Sequence, residues 1–285
     1  MDKIRAILWH AGIEYRKFLN LKNVMIMIFS IVFLLENVVF KMAEISEETG
    51  LSMHFLEPMN LILENSMHSM TIPVIFVVLL SGFPDKSADG VFMMIRTGRS
   101  IWLIGELIYA VMAGLTYILI MTVLSMLSIL HCGAFFSDWS LYMTMMSSNF
   151  PDVYNTNFNF FLSSGTVMHG HPIGVYIISV IMMLFYLIFM AQSLCVFKMT
   201  GFKRFGIYFC IVISILGACA ISYIPGIEWY LPLSHAVFGI HYDSYYSEPI
   251  FPLIGSVLYF IILNSVLFLI NGYLAKRCMI GDDKT

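Results

Sequence analysis

Two carboxylates stand inside otherwise apolar stretches of the sequence, Glu36 with Asn37 beside it, and Glu106. A charged side chain at the centre of a membrane-spanning helix costs about 2.5–3.5 kcal/mol to insert, so such residues mark polar paths or meet a partner. Glu36 lies about 18 Å along its stretch at about 1.5 Å per residue. There it could line a substrate path, meet the cationic group of a peptide, or reach the outer interface. Glu106 follows Arg96 and Arg99 closely, and we expect it to pair with one of them.

Histidines outside the apolar stretches could instead hold a metal ion. The candidates are His169 and His171, separated by one glycine, with His235 and His241 farther along. No carboxylate or cysteine accompanies them at a spacing typical of metal ligands. The 5 cysteines form no C-x-x-C pair and the 22 methionines form no repeated M-x-x-M cluster in a loop, which favours packing roles. We therefore predict no metal and no cofactor bound by this chain.

Sequence patterns for catalysis are also weak. The sequence contains neither H-E-x-x-H nor the phosphate-binding G-x-x-x-x-G-K-[ST] pattern. Hydrolysis within a membrane needs paired Glu, His or Asp on facing helices, whereas the adjacent pair Glu47–Glu48 lies in a predicted outer loop. We therefore do not predict an enzyme, and any ATP-driven work must come from another protein.

The composition indicates which elements position these residues. Of the 285 residues, 59% are hydrophobic and 12% are charged, and the mean hydropathy is +0.85. Soluble domains are roughly 25% charged, and a globule with half that charge would not stay dispersed in water. The net charge of −3 offers no basic excess to nucleic acid. These values exclude a soluble enzyme, a nucleic-acid-binding protein and a disordered regulator, and they predict an integral membrane protein.

Six apolar stretches approach the length of about 20 residues that a spanning helix needs. They cover residues 24–40, 69–83, 101–131, 173–197, 205–224 and 252–275, and the second also takes in part of 64–68. Of the 15 Lys and Arg residues, all but Lys41 fall on one side of these stretches. Because cytoplasmic loops carry the excess of Lys and Arg, we predict an all-α integral membrane fold with six transmembrane helices and both termini cytoplasmic. The expected location is the plasma (inner) membrane, and outer loops without an N-x-[ST] sequon favour a bacterial source.

The chain reads as a single transmembrane domain over residues 1–285, beginning with a cytoplasmic segment at 1–23. Within it, the apolar residues of 3–20 fall in an arc of about 100°: Ile4, Ile7, Leu8, Ala11, Tyr15 and Phe18. The remaining arc is polar: Lys3, Arg5, His10, Glu14, Arg16 and Lys17. We expect an amphipathic elbow helix that rests on the lipid bilayer.

The cytoplasmic loop 84–100 carries the most specific pattern. Ser87 or Asp89 can cap a short helix, and Arg96-Thr-Gly-Arg99-Ser100 ends it before the third stretch. Its predicted exposed face carries four apolar residues: Val91, Phe92, Met94 and Ile95. A cytoplasmic loop with such a face must fold back on the membrane or dock on a partner.

The predicted outer loops are 41–68, 132–172 and 225–251. The first mixes acidic and apolar residues, and the second carries no Lys or Arg. Residues 225–235 in the third are almost all apolar or aromatic. Such a segment would not extend into water, so we predict a partly re-entrant hairpin before the last span.

With these elements in order, the chain resembles the transmembrane (permease) subunits of ABC transporters of the ABC-2 type, which share the fold of type V exporters. The loop carries the family's order of acidic residue and glycine (Asp89-Gly90), apolar helix (91–95), Arg99-Ser100 and then Gly105. One departure is Glu106, because family members often carry Lys after that glycine. The resemblance covers most of the length.

The resemblance implies a dimer, either a homodimer or a related heterodimer, paired with two separate ATPase subunits that bind ATP and Mg²⁺. It implies coupling to those subunits through the loop: Ser87, Asp89, Gly90, Val91, Phe92, Met94, Ile95, Arg96 and Arg99. The expected activity is export of an amphipathic peptide or a hydrophobic compound such as a drug or antimicrobial. The alternatives are a membrane sensor or immunity protein that binds a peptide without transport, a secondary transporter, and the intramembrane enzyme considered above.

Overall fold

The computed structural model describes residues 3–84, 88–224, 226–243 and 248–277. The described chain begins with helix α1 (Lys3–Phe18) and helix α2 (Leu21–Leu34). Asn20 separates them, because its side chain accepts a hydrogen bond from the backbone N–H of Asn23 at 2.8 Å and so starts α2.

Helix α2 runs without a break through a π-helical turn at Leu35–Val39 into helix α3 (Phe40–Thr49). Together they form one continuous helical rod of 29 residues, Leu21–Thr49, which contains an apolar stretch long enough to cross a membrane. Gly50, with φ of 67°, ends this rod in the left-handed region that glycine tolerates. The first spanning element therefore extends well beyond the predicted stretch 24–40.

The second predicted span is short and follows a sharp bend. A two-residue strand β1 (Met53–His54) leads into helix α4 (Glu57–Glu64), and helix α5 (Ser66–Leu79) follows at 84° to it. Asn65 turns the chain, because its side chain accepts hydrogen bonds from the backbone N–H groups of the first turn of α5. Glu64 of the predicted span start therefore belongs to the preceding helix.

Helix α6 (Ala88–Thr97) lies between the second and third predicted spans, and helix α7 (Arg99–Ser128) corresponds to the third predicted span. Gly98, with φ of 92°, makes the turn between them. At about 1.5 Å per residue the 30 residues of α7 extend about 45 Å, more than the hydrocarbon thickness.

The segment after α7 folds into a compact layer at one end of the bundle. Strand β2 (Gly133–Ala134) pairs in parallel with β1. Three short helices follow, with a 3₁₀ turn at Phe158–Phe160 before the last of them: α8 (Leu141–Asn149), α9 (Pro151–Thr156) and α10 (Ser164–His169). The long helices α11 (Pro172–Met199) and α12 (Lys203–Tyr223) then complete the fourth and fifth spans.

The predicted re-entrant segment folds back among the spans. Helix α13 (Pro232–Ala236) lies between 3₁₀ turns and packs against α11, α12 and the last span, helix α14 (Leu253–Arg277). A methyl group at Gly217 of α12 would lie 2.6 Å from Cβ of Leu233, so only glycine allows this approach.

The prediction of an all-α membrane protein is confirmed at the level of fold class. Among the described residues, five helical segments are long and apolar enough to cross a membrane, and a sixth results if the bent pair α4–α5 is one span. We call the end with α1, α6 and the α5–α6 loop the basic end, and the end with α4 and α8–α10 the acidic end.

Candidate functional site

Helix α6 presents an apolar surface at the basic end. Phe92 and Ile95 are 61% and 60% exposed, respectively, whereas Met94 is only 7% exposed. The prediction that Met94 belongs to the exposed face is wrong, because α6 packs against α7 and turns Met94 toward the core. The exposed apolar surface of α6 is therefore smaller than the predicted one.

The remaining predicted coupling residues have different surroundings. Ser87 lies outside the described residues, and the side chains of Asp89 and Val91 lie outside them as well. Gly90 is buried, and Arg96 is exposed. Arg99 is exposed too, and its guanidinium donates to the backbone carbonyl of Lys276 at the end of α14.

Both flanks of α6 are tied to other spans. On one side, Nζ of Lys198 at the end of α11 donates to the carbonyl oxygens of Gly82 and Pro84. On the other side, Arg99 holds the end of α14 as described. The segments before and after α6 therefore contact the ends of α11 and α14. The position of Lys198 at the end of its apolar stretch was the only sequence signal for this contact.

The elbow helix α1 packs along α7. Nε2 of His10 lies 3.2 Å from Oε1 of Glu106, and both side chains are buried. The hydroxyl groups of Tyr15 and Thr116 lie 2.6 Å apart farther along the same interface. The prediction that Glu106 pairs with Arg96 or Arg99 is therefore wrong, since its partner lies on the elbow helix.

The face that α1 buries also differs from the predicted one. Ala11 and Phe18 are buried as an apolar face requires, but His10 and Glu14 of the predicted polar arc are buried as well. Ile4, by contrast, is 71% exposed. The reason is that α7 supplies a partner for His10, and Lys17 supplies one for Glu14 at 2.8 Å. Part of the apolar stripe thereby stays free for contact with lipid.

The residues predicted for a substrate path lie on the outside of the chain. Glu36 and Asn37 occupy the π-helical turn at Leu35–Val39, and both are exposed. The amide of Asn37 donates to the backbone carbonyl of Phe33 at 2.7 Å. Insertions of this kind widen a helix locally and often occur at functional positions.

A buried carboxyl group organises the acidic end. Oε1 of Glu57 accepts from the backbone N–H of Ser140, and Oε2 accepts from the Ser140 hydroxyl and the backbone N–H of His54, each at 2.8 Å. Burial raises the pKa of Glu57 to about 7, although these hydrogen bonds lower it. One carboxyl group thus joins β1, α4 and the start of α8.

Glu64 repeats this arrangement two turns farther along α4. Its Oε1 accepts from the backbone N–H of Ser163 at 2.9 Å, and burial raises the pKa of its carboxyl group. The sequence reasoning missed both carboxyl groups. The spacing of seven residues, which places Glu57 and Glu64 on one helix face, was the available signal.

Two histidines of the predicted outer loop meet at one serine of the last span. Nδ1 of His235 and Nε2 of His241 each lie 2.8 Å from Oγ of Ser256. The other ring nitrogens face backbone carbonyls, Nε2 of His235 that of Trp229 and Nδ1 of His241 that of Val237, both at 2.9 Å. Ser256 has one hydroxyl proton and so donates to one of the two rings at a time.

The other two histidines of the predicted metal candidates, His169 and His171, make different contacts. Nδ1 of His171 lies 3.4 Å from Oδ1 of Asp138, and the ring of His169 packs on Tyr242 with centroids 4.0 Å apart. In the described parts of the chain, no group of three or more His, Cys, Asp or Glu side chains is arranged to hold a metal ion.

Comparisons with protein-family models, with curated proteins and with solved structures find no match to this chain. The fold and these side-chain contacts are therefore the basis for the proposals that follow.

Proposed function

We propose that this chain is the permease subunit of an ATP-driven exporter, with six transmembrane helices, both termini cytoplasmic and the basic end facing the cytoplasm. The location proposed is the plasma (inner) membrane of a bacterium. This orientation follows from the placement of nearly all Lys and Arg at that end. It also places the buried carboxyl groups of the acidic end on the outer side.

One observation carries the proposal: the short helix α6 exposes an apolar surface, Phe92 and Ile95. The segments before and after it are hydrogen-bonded to the ends of α11 and α14. A partner that binds this surface would pull on the end of α11 through the α5–α6 loop and Lys198, and on the end of α14 through Arg99. This is the geometry needed to pass closure of an ATPase dimer to the membrane helices. ATP and Mg²⁺ would bind to that partner.

A second copy of the permease, identical or related, accounts for the exposed polar residues of the π-helical turn Leu35–Val39. Glu36 and Asn37 would otherwise contact lipid, at a cost of about 2.5–3.5 kcal/mol for a charge at the helix centre. We propose that they face a polar path formed with the second copy. A cargo with a cationic and an apolar part, such as an amphipathic peptide, would meet Glu36 along this path. Hydrophobic drugs and toxin peptides carry the apolar part, or both parts, of such a cargo.

The test is co-purification of an ATPase with the tagged chain from its native membranes, read out by peptide sequencing and Mg²⁺-dependent ATP hydrolysis. The variant Phe92→Asp with Ile95→Asp should reduce the bound ATPase at least about tenfold, because exposed apolar anchors carry much of the energy of an interface. Phe158→Asp with Ile227→Asp is the matched control, because these residues are 60% and 51% exposed at the acidic end.

Full retention of the ATPase by the Phe92 and Ile95 variant would contradict the docking role of α6. If no ATP-hydrolysing protein accompanies the wild-type chain, the permease proposal fails. A chain that instead captures only a peptide would support the alternative, a membrane sensor or immunity protein.

A further inference from the structure

A cavity of about 290 Å³ lies between α7 and α14 at the basic end. It includes neither the exposed apolar surface of α6 nor the polar residues of the π-helical turn Leu35–Val39. Its lining comes from the first turns of α7 and the last turns of α14, and it includes Arg99, Leu103, Phe268, Leu269, Gly272 and Lys276.

The cavity has two chemically distinct parts. Leu103, Ile104 and Phe268 contribute apolar side chains to its wall, and Leu269 beside them is 71% exposed toward the surroundings of the bundle. Arg99 and Lys276 stand at the helix ends, where the apolar runs of both spans stop.

The cations at this end are held in place. The Arg99 guanidinium donates to the backbone carbonyl of Lys276, which fixes it beside the cavity. Arg277, the next residue, lies with Cζ 4.6 Å from the centre of the Tyr273 ring, and Tyr273 itself lines the cavity. Two cations, Arg99 and Lys276, therefore line one end of the cavity, and Arg277 stacks on the Tyr273 ring that forms part of its wall.

A ligand for this groove must combine a negative charge with a hydrocarbon portion. A small soluble anion would leave the apolar wall uncovered, and a neutral hydrocarbon would leave the cations without a counter-charge. Basic pockets between spans at the cytoplasmic side have the chemistry that anionic lipid headgroups require.

We propose that this cavity is a binding site for one anionic phospholipid, with its headgroup phosphate at Arg99 and Lys276 and an acyl chain along Leu103, Phe268 and Leu269. The proposal rests on α7 and α14 spanning the membrane and does not depend on transport.

Gly272 offers a way to fill the site without disturbing the fold. A side chain at Gly272 would meet no atom within 4 Å, and this residue lines the cavity on a continuous helix. Gly272→Leu should therefore fold, since leucine also favours helix more than glycine does, and its side chain should occupy the groove in place of the acyl chain.

A second pair of variants tests the charges. Arg99→Gln with Lys276→Gln removes the cations at the cavity, and Lys203→Gln with Arg204→Gln removes two exposed cations at the same end but outside its lining. Each cation near an anionic lipid contributes about fivefold to its affinity, so we expect the first pair to weaken binding about thirtyfold and the second pair to leave it unchanged.

The measurement is native mass spectrometry of the delipidated chain titrated with phosphatidylglycerol or phosphatidylcholine, with a monodisperse elution profile required of every variant. The expected result is one tightly bound phosphatidylglycerol per chain, lost in Gly272→Leu and weakened about thirtyfold in the Arg99 and Lys276 variant. Equal binding of the two lipids, or unchanged binding in both variants, would overturn the proposal. Glycerol phosphate that displaces the lipid at equal concentration would overturn it too, because it would assign the site to a soluble anion.

Discussion

Nε2 of His10 on α1 lies 3.2 Å from Oε1 of Glu106 on α7, and this buried contact fixes the elbow helix to the third span. The residue before Glu106 makes the approach possible, because a methyl group at Gly105 would lie 2.5 Å from Cδ2 of His10. Glu106, at which the chain departs from the pattern of the family that it resembles, is thus paired with a histidine on α1. We expect α1 and α7 to move together as one body.

The Gly105 contact predicts opposite signs for two glycine-to-alanine substitutions. Gly105→Ala should destabilise the fold, because the new methyl group displaces His10 from Glu106 and overpacking costs typically about 1–3 kcal/mol. Gly12→Ala, on α1 with no atom within 4 Å of the new methyl group, should stabilise it by about 0.5–1 kcal/mol. Thermal unfolding of both variants in detergent measures the two shifts, and a stabilised Gly105→Ala would contradict the packing described.

The serine shared by two histidines predicts a strong effect from the loss of one hydroxyl group. Ser256→Ala leaves ring nitrogens of His235 and His241 buried without their partner, which should cost about 1–3 kcal/mol. Ser222→Ala is the control, since its hydroxyl bonds Ser66 in an exposed contact at 3.0 Å, and it should change stability by less than about 0.5 kcal/mol. Equal stability of the two variants in chemical denaturation would show that Ser256 does not hold the histidines.

The buried carboxyl of Glu57 predicts a dependence of stability on pH. Its pKa rises from 4.5 to about 7 on folding, so the folded state binds the proton more tightly than the unfolded state does. The stabilisation is full below pH 4.5 and is lost as the pH rises through about 7. Unfolding midpoints at intervals between pH 5 and pH 8.5 should fall in the wild type, and Glu57→Gln should flatten this trend. An identical slope in the variant would assign the trend to another group.

The proposed orientation of the chain predicts which sides of the membrane two lysines occupy. Lys41 lies on α3 and Lys203 at the start of α12, and both are exposed. In intact cells a membrane-impermeant maleimide should label Lys41→Cys above the background of the unsubstituted chain. It should label Lys203→Cys only after permeabilisation. The reverse order of labelling would show the opposite topology. Labelling of both residues in intact cells would contradict the number of spans predicted between them.

The sequence allowed the helices to be predicted better than the contacts between them. Apolar periodicity located α1, and the length of the apolar runs located the long helices. It did not reveal the pairing of His10 with Glu106, because the two are 96 residues apart and only packing brings them together. The pattern also did not show that Phe92 is exposed and Met94 buried, because both are apolar. The turn at Gly98 sets which side of α6 is covered by α7.

The polar contacts of the acidic end were the least predictable part of the candidate site. Glu57 reads as one of many acidic residues in an outer loop, and its role depends on Ser140 on a distant helix. Ser256 similarly lies within an apolar stretch, and nothing in the sequence around it indicates that His235 and His241 contact its hydroxyl group. Side chains that satisfy each other across elements leave no periodic trace in a single sequence.

The most direct test of the permease account is transport in vesicles that contain the chain and its co-purified ATPase, with α6 facing the added nucleotide. The account predicts Mg²⁺- and ATP-dependent accumulation of a fluorescent cationic amphipathic peptide inside these vesicles. It also predicts that Phe92→Asp with Ile95→Asp abolishes accumulation, while Phe158→Asp with Ile227→Asp retains it. Binding of the peptide to the vesicles at the same level with and without ATP, and with no accumulation inside, would contradict the account.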